Sequence, residues 1–191
     1  MKYYIDIKLL GDDEVNLGFI WRKIYLELHL MLSDIKDKNS EVDIGFSFPN
    51  YQTQTFPLGD ILRIFANSKE ELVSLNLIKY LGRFDEYIIR EDIKPVPKDT
   101  KTYVTFSRKQ FKSNPERLAR RQAKRKGISI EEALKNYAEM TPESTKLPFI
   151  MMKSSKGQYM KIFIEKSISD VETKGKYSTY GLSKVASVPW F

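Results

Sequence analysis

Over the first 94 residues the apolar positions change period in the order strand, helix, strand, strand, helix, strand, and few folds accept that order. Lys2–Leu10 alternates and is rich in Tyr, Ile and Leu, as a half-buried strand is. Leu17, Ile20, Ile24, Leu28, Met31, Leu32 and Ile35 recur at helical spacing, which predicts one helix over Leu17–Ile35 with a single apolar stripe. Asp43–Phe48 and Leu58–Ala66 read as strands. Ser68-Lys69-Glu70-Glu71 is a capping box that opens a short helix to about Leu77. Phe84–Lys94 reads as a final strand.

The order β-α-β-β-α-β is the ferredoxin-like arrangement, so the fold class expected is α+β. Pro95-Val96-Pro97-Lys98-Asp99 then breaks the pattern, and a domain boundary is expected there: residues 1–97 as the ferredoxin-like domain, 98–191 as a second, C-terminal part. In that part Lys101–Lys109 reads as one more strand. Ser113-Asn114-Pro115-Glu116 starts a helix, by capping box or by proline in the first turn, and Gly127 ends it. Ser129-Ile130-Glu131-Glu132 caps a second helix. Phe149–Lys153 and Tyr159–Ile164 read as short strands, followed by a tail containing Gly and Ser. No internal repeat or low-complexity tract interrupts the chain.

Hydrophobic residues make up 41% of the 191, enough for a packed core. The absence of cysteine excludes disulfides and thiolate metal sites and suits a reducing, cytoplasmic setting. Met1–Asp6 has no long apolar run of the kind a signal peptide needs, and no stretch approaches the length of a bilayer span, so no membrane partner is expected. The net charge of +7 is unevenly spread. Residues 1–100 hold 13 Lys/Arg against 17 Asp/Glu, a balance of −4; residues 101–191 hold 19 against 8, a balance of +11. A basic half of this kind points to nucleic acid.

Arg117, Arg120, Arg121, Lys124 and Arg125 fall within an arc of about 140° on the helix that follows Pro115, with Ala119 and Ala123 nearly opposite. Five cations without an acid among them suit a polyanion better than a solvated face, where signs usually alternate. The deep major groove of uniform A-form RNA resists side chains, so a helix could enter only near a stem end or a loop. Just before this helix stand Arg108 and Gln110, types that pair with guanine and with adenine; the two could equally be surface strand positions.

His29 is the sole histidine and lies on the first helix beside Tyr25, off the apolar stripe and so off the expected core face. One histidine without cysteine does not make a zinc site. The carboxylates are scattered, and the tightest cluster, Asp12-Asp13-Glu14, sits in a turn before the helix. Neither a metal nor a cofactor is expected. Nuclease chemistry on such a chain would be metal-free and therefore confined to RNA, whose 2′-hydroxyl serves as nucleophile with a base that is neutral near pH 7.

The C-terminus, Tyr180-Gly181-Leu182-Ser183-Lys184 followed by Val188-Pro189-Trp190-Phe191, resembles that of the type I-F CRISPR repeat-processing endoribonucleases, the Csy-type branch of the Cas6 superfamily. Gly45-Phe46-Ser47-Phe48-Pro49, Ser113-Asn114-Pro115-Glu116-Arg117-Leu118, Leu147-Pro148-Phe149 and Gly157-Gln158 add to the resemblance, in the family's order across nearly the whole chain. The resemblance implies a ferredoxin-like domain, an arginine-rich helix docked in the major groove of a repeat hairpin, and one cut at the 3′ base of the stem, without metal, leaving a cyclic phosphate. It implies a product retained as part of a type I-F effector complex with other subunits. A hairpin-binding subunit that does not cut is the alternative.

Residue by residue, the resemblance makes His29 the catalytic histidine, whether as base or as acid. Ser154, with Ser155 beside it, would hold the ribose, and Tyr180 would orient the imidazole. Arg108 and Gln110 would read the lower stem, and Arg121, Lys124 and Arg125 would face the groove. Arg117 and Arg120 on the same helix, Lys153 and Ser155 complete the expected RNA contacts. Lys124 stands where the family has arginine, and Met160 where it has an aromatic residue packed on RNA.

Overall fold

The computed structural model describes residues 1–12, 14–53, 56–111, 115–138, 145–153 and 157–191. In chain order the elements are β1 (Tyr3–Leu9), α1 (Leu17–Ile35), β2 (Glu41–Val42), β3 (Gly45–Ser47), β4 (Ile61–Ala66), α2 (Lys69–Ser74), α3 (Leu77–Leu81), β5 (Ile88–Arg90), β6 (Lys94–Pro95) and β7 (Thr102–Lys109), followed by α4 (Pro115–Lys126), α5 (Ile130–Lys135), β8 (Phe149–Lys153), β9 (Tyr159–Ser169), β10 (Tyr177–Ser178) and β11 (Val188–Trp190). They divide into two compact units: Met1–Lys109 with Pro148–Phe191, and Gln110–Leu147.

The first unit is mixed α/β and holds two main sheets. One has the order β3-β4-β1-β5, with β6 also against β1, and every neighbour antiparallel. The other has the order β11-β7-β9-β8, again antiparallel throughout. One core joins them. Phe48 and Tyr51, from before the Pro95–Pro97 break, pack on Phe106 from after it, with ring centroids 5.0 and 5.6 Å apart. The compact units therefore follow the insertion of residues 110–147 and not a cut between 97 and 98.

Helix α1 has the expected bounds, and Asn16 caps it through the Phe19 N–H. Its buried face is shifted from the expected stripe. Leu17 is only half-buried and Ile35 is 48% exposed, whereas Trp21 and Tyr25 are fully buried. These rings can turn inward because their polar tips are satisfied: Trp21 Nε1 donates to the Gly59 carbonyl and Tyr25 Oη to that of Tyr180, both at 2.8 Å.

The expected helix from Ser68 to Leu77 is two. The capping box forms as read, but α2 stops at Ser74 and α3 restarts at Leu77, with Asn76 between them in the left-handed region at φ 47°. Asparagine tolerates that conformation better than most residues and caps the new helix with its side chain. The strand expected over Phe84–Lys94 is reduced to β5 and β6. Strand β9 runs on to Ser169, because β7 pairs with it from Lys109↔Phe163 to Tyr103↔Ser169. The tail is not loop alone. Its β10 pairs with β2, and its β11 covers the outer edge of β7, a position where Pro189 removes no needed donor.

The second unit carries the helices α4 and α5. Ala119, Ala123 and Ala133 bring α4 and α5 together with Ile128, Leu134 and Tyr137 around them. Gly127, at φ +67°, ends α4, and Ser129 caps α5. The cap expected at Ser113 and Asn114 lies outside the described residues. Among the described residues no helix is long and apolar enough to cross a membrane.

Candidate active site

Helix α1 sets Tyr25 and His29 one turn apart on one side, and the chain returns to them after β10. The turn at 178–182 is tight. Gly181 takes φ +68°, its carbonyl accepts the Phe46 N–H at 2.8 Å, and an added Cβ would stand 2.2 Å from the Phe46 ring. Only glycine satisfies both demands. This close approach brings residues 179 and 180 onto α1.

His29 Nδ1 lies 3.0 Å from the Thr179 carbonyl oxygen. A carbonyl only accepts, so Nδ1 carries the proton, and in the neutral ring the lone pair is on Nε2. The Tyr180 ring stacks on the imidazole with centroids 4.3 Å apart and planes 6° from parallel. The Tyr25 ring lies 6.5 Å from that of Tyr180 and is inclined to it by 19°. The imidazole is thus fixed in the plane by a hydrogen bond and out of the plane by a stack.

Burial, first, holds the half-buried imidazole below its ordinary pKa. The Thr179 hydrogen bond opposes this, and the positive charges of Lys36 and Arg108 add to the lowering. Arg108, from β7, sits 5.2 Å from the centre of the Tyr180 ring, and its buried Nε has no hydrogen-bond partner among the described residues. A cation beside a neutral base discourages protonation and is itself available to an acceptor.

The structure thus brings His29, Tyr180 and Arg108 into one cluster. Lys153 is exposed at the end of β8, and Met160, on β9, is partly buried against the core. Ser154 and Ser155 lie outside the described residues. In the second unit Gln110 is exposed, as are Arg117, Arg120, Arg121, Lys124 and Arg125, while Ala119 and Ala123 are buried on the other side of α4, as the helical spacing requires. Arg120 pairs with Glu116 one turn before it at 3.5 Å, so an acid does border this face. No group of three His, Asp or Glu side chains among the described residues could hold one metal ion.

Two parts of the cluster carry no sequence signal as site residues. Thr179 acts through its main chain, which any residue has. Tyr25 is visible beside His29 on the helix, but its hydroxyl partner is not.

Residues 4–191 match the model of the family described as CRISPR-associated protein (Cas_Csy4). The chain belongs to that family. Two Cas_Csy4 relatives, both named CRISPR-associated endonuclease Cas6/Csy4, come from Escherichia coli (strain UTI89 / UPEC), 33% identical over 193 residues, and from Pseudomonas aeruginosa (strain UCBPP-PA14), 34% identical over 194. Each alignment covers 100% of both chains. The resemblance drawn from the C-terminal motifs, to a Csy-type member of the type I-F Cas6 group, is borne out. A solved structure described as "An RAMP protein binding different RNA substrates" aligns at 12% identity with a TM-score of 0.37, covering 98% of this chain and 99% of that one.

Proposed function

We propose that this Cas_Csy4 protein is a CRISPR repeat-RNA endoribonuclease that binds the repeat hairpin and cuts once at the 3′ base of its stem. The observation that carries the reading is the fixed tautomer of His29. With Nδ1–H committed to the Thr179 carbonyl and the pKa lowered by burial, Nε2 presents a lone pair near neutral pH. It takes the proton of the 2′-hydroxyl upstream of the cut. That oxygen attacks the adjacent phosphorus, the bond to the 5′-oxygen breaks, and the products are a 2′,3′-cyclic phosphate and a 5′-hydroxyl. The departing oxygen is protonated by the imidazolium or by water. No step needs a metal ion.

Tyr180 orients the imidazole by stacking, and Ser154 or Ser155 holds the ribose. Arg108 and Gln110 read the lower stem. Arg117, Arg120, Arg121, Lys124, Arg125 and Lys153 meet phosphates. The antiparallel order β3-β4-β1-β5, with α1 and then α2–α3 between strands, supports a ferredoxin-like arrangement for residues 1–97. The cut hairpin stays bound, so the protein remains with its product and other subunits of a type I-F effector complex.

His29→Ala tests this. General acid–base catalysis contributes about 10²–10⁴-fold, so single-turnover cleavage falls by that factor while hairpin affinity holds. Wild-type protein binds but leaves uncut a hairpin with a 2′-deoxy sugar before the scissile phosphate, and cuts the all-RNA hairpin in excess EDTA. Cleavage of the deoxy substrate, or full activity of His29→Ala, refutes the mechanism.

A further inference from the structure

Two turns before His29 on α1, an aromatic and cationic cluster faces solvent. Arg22 is seven residues from His29, which is about 10.5 Å along the helix and roughly 20° from the same direction. Its guanidinium carbon sits 5.0 Å from the centre of the Phe19 ring and 5.8 Å from that of Tyr159, a residue 137 positions away on β9. Lys23 adds a second cation 5.5 Å from the Phe19 ring. Both rings stay open to solvent, Phe19 at 45% and Tyr159 at 59% exposure.

The cluster continues along the outer face of the β8–β9 pair. Strand alternation puts Phe149, Met151 and Lys153 of β8 on the same face as their cross-strand partners Phe163, Lys161 and Tyr159. The opposite face buries Ile150, Met152, Ile162 and Ile164 in the core. On the outer face Lys161 Nζ stands 4.3 Å from the Phe149 ring, and none of the six residues is acidic. Same-face positions follow each other at about 6.8 Å. Exposed rings spaced by cations, with no acid among them, form a surface on which bases stack and phosphates are neutralised. A protein partner would more commonly meet a dry apolar centre with charges at its rim.

We propose that Phe19, Arg22 and Tyr159, continued by Lys161 and Phe149, form a stacking site for unpaired nucleotides that flank the RNA hairpin at the base of its stem. The proposal rests on the hairpin reading above. The site adds affinity for the single-stranded flank, independent of its sequence, because every base offers a π face.

The test compares a bare hairpin with hairpins carrying a six-nucleotide unpaired extension on the 5′ or the 3′ side. The scissile ribose is 2′-deoxy so that the flank stays attached, and 2-aminopurine in the flank reports stacking by loss of fluorescence. One stacked base is worth about a tenfold gain in affinity. The flanked hairpin should bind wild-type protein about tenfold more tightly than the bare one on at least one side, with quenching. Arg22→Ala with Tyr159→Ala should remove the gain and the quenching but leave bare-hairpin affinity unchanged, and Tyr159→Phe should keep both. Equal affinity of bare and flanked hairpins for wild type, or a gain that survives the double substitution, overturns the site while leaving the hairpin reading intact. Failure of the bare hairpin to bind overturns both.

Discussion

Tyr25→Phe removes one oxygen from the interior and leaves every ring in place. That oxygen donates to the Tyr180 carbonyl at 2.8 Å from a side chain with no solvent exposure. Leaving a buried acceptor without its donor costs about 1–3 kcal/mol. The stability loss should fall in that range, read as a lower denaturant midpoint at unchanged slope. The same free energy limits how far the 179–180 turn can be released from α1. Release frees the Thr179 carbonyl from His29 Nδ1 and the Tyr180 ring from the imidazole. Single-turnover cleavage should therefore slow by between about fivefold and a hundredfold, since each 1.4 kcal/mol is a factor of ten. Hairpin affinity should stay near wild type, because the substitution is buried. His29 is the sole histidine, so its ¹⁵N resonances can be read without assignment. Wild-type protein should show the Nδ1–H tautomer, and Tyr25→Phe a mixture of both. A variant that cuts at the wild-type rate with an unmixed tautomer would refute the idea that Tyr25 holds the turn against His29.

His29 should titrate below 6.5 in the free protein by NMR, since burial and the cations Lys36 and Arg108 outweigh the Thr179 hydrogen bond. A base works in its neutral form, so cleavage at low protein concentration should fall as pH drops through that lowered pKa and stay level from about pH 7 to 8; a rate that falls on raising the pH would assign His29 to the acid role instead. Replacing Arg121 and Arg125 with alanine should weaken hairpin binding and flatten the salt dependence by about one unit of slope for each phosphate no longer neutralised, measured as log affinity against log salt. Gly181→Ala should destabilise the fold and slow cleavage together, because its Cβ meets the Phe46 ring at 2.2 Å and forces the turn off α1; circular dichroism melting and single-turnover cleavage check both effects.

What could be read from the sequence is what depends on neighbours along the chain. The bounds of α1, the Ser68 capping box, the Gly127 stop and the single cationic side of α4 all follow from periodicity and capping within a few residues, and all are present. The strong family motifs extended that reading to His29 and Tyr180 as a pair. The faces and edges were less legible. Trp21 and Tyr25 entered the core in place of Ile35 because Gly59 and Tyr180, 38 and 155 residues away, offered carbonyls to their polar tips. The C-terminal tail became strands because β2 and β7 had open edges to pair. The protonated nitrogen of His29 was decided by tertiary structure alone. Its partner is a main-chain oxygen 150 residues away, and a carbonyl that every residue carries leaves no mark in a sequence until folding brings it within 3.0 Å.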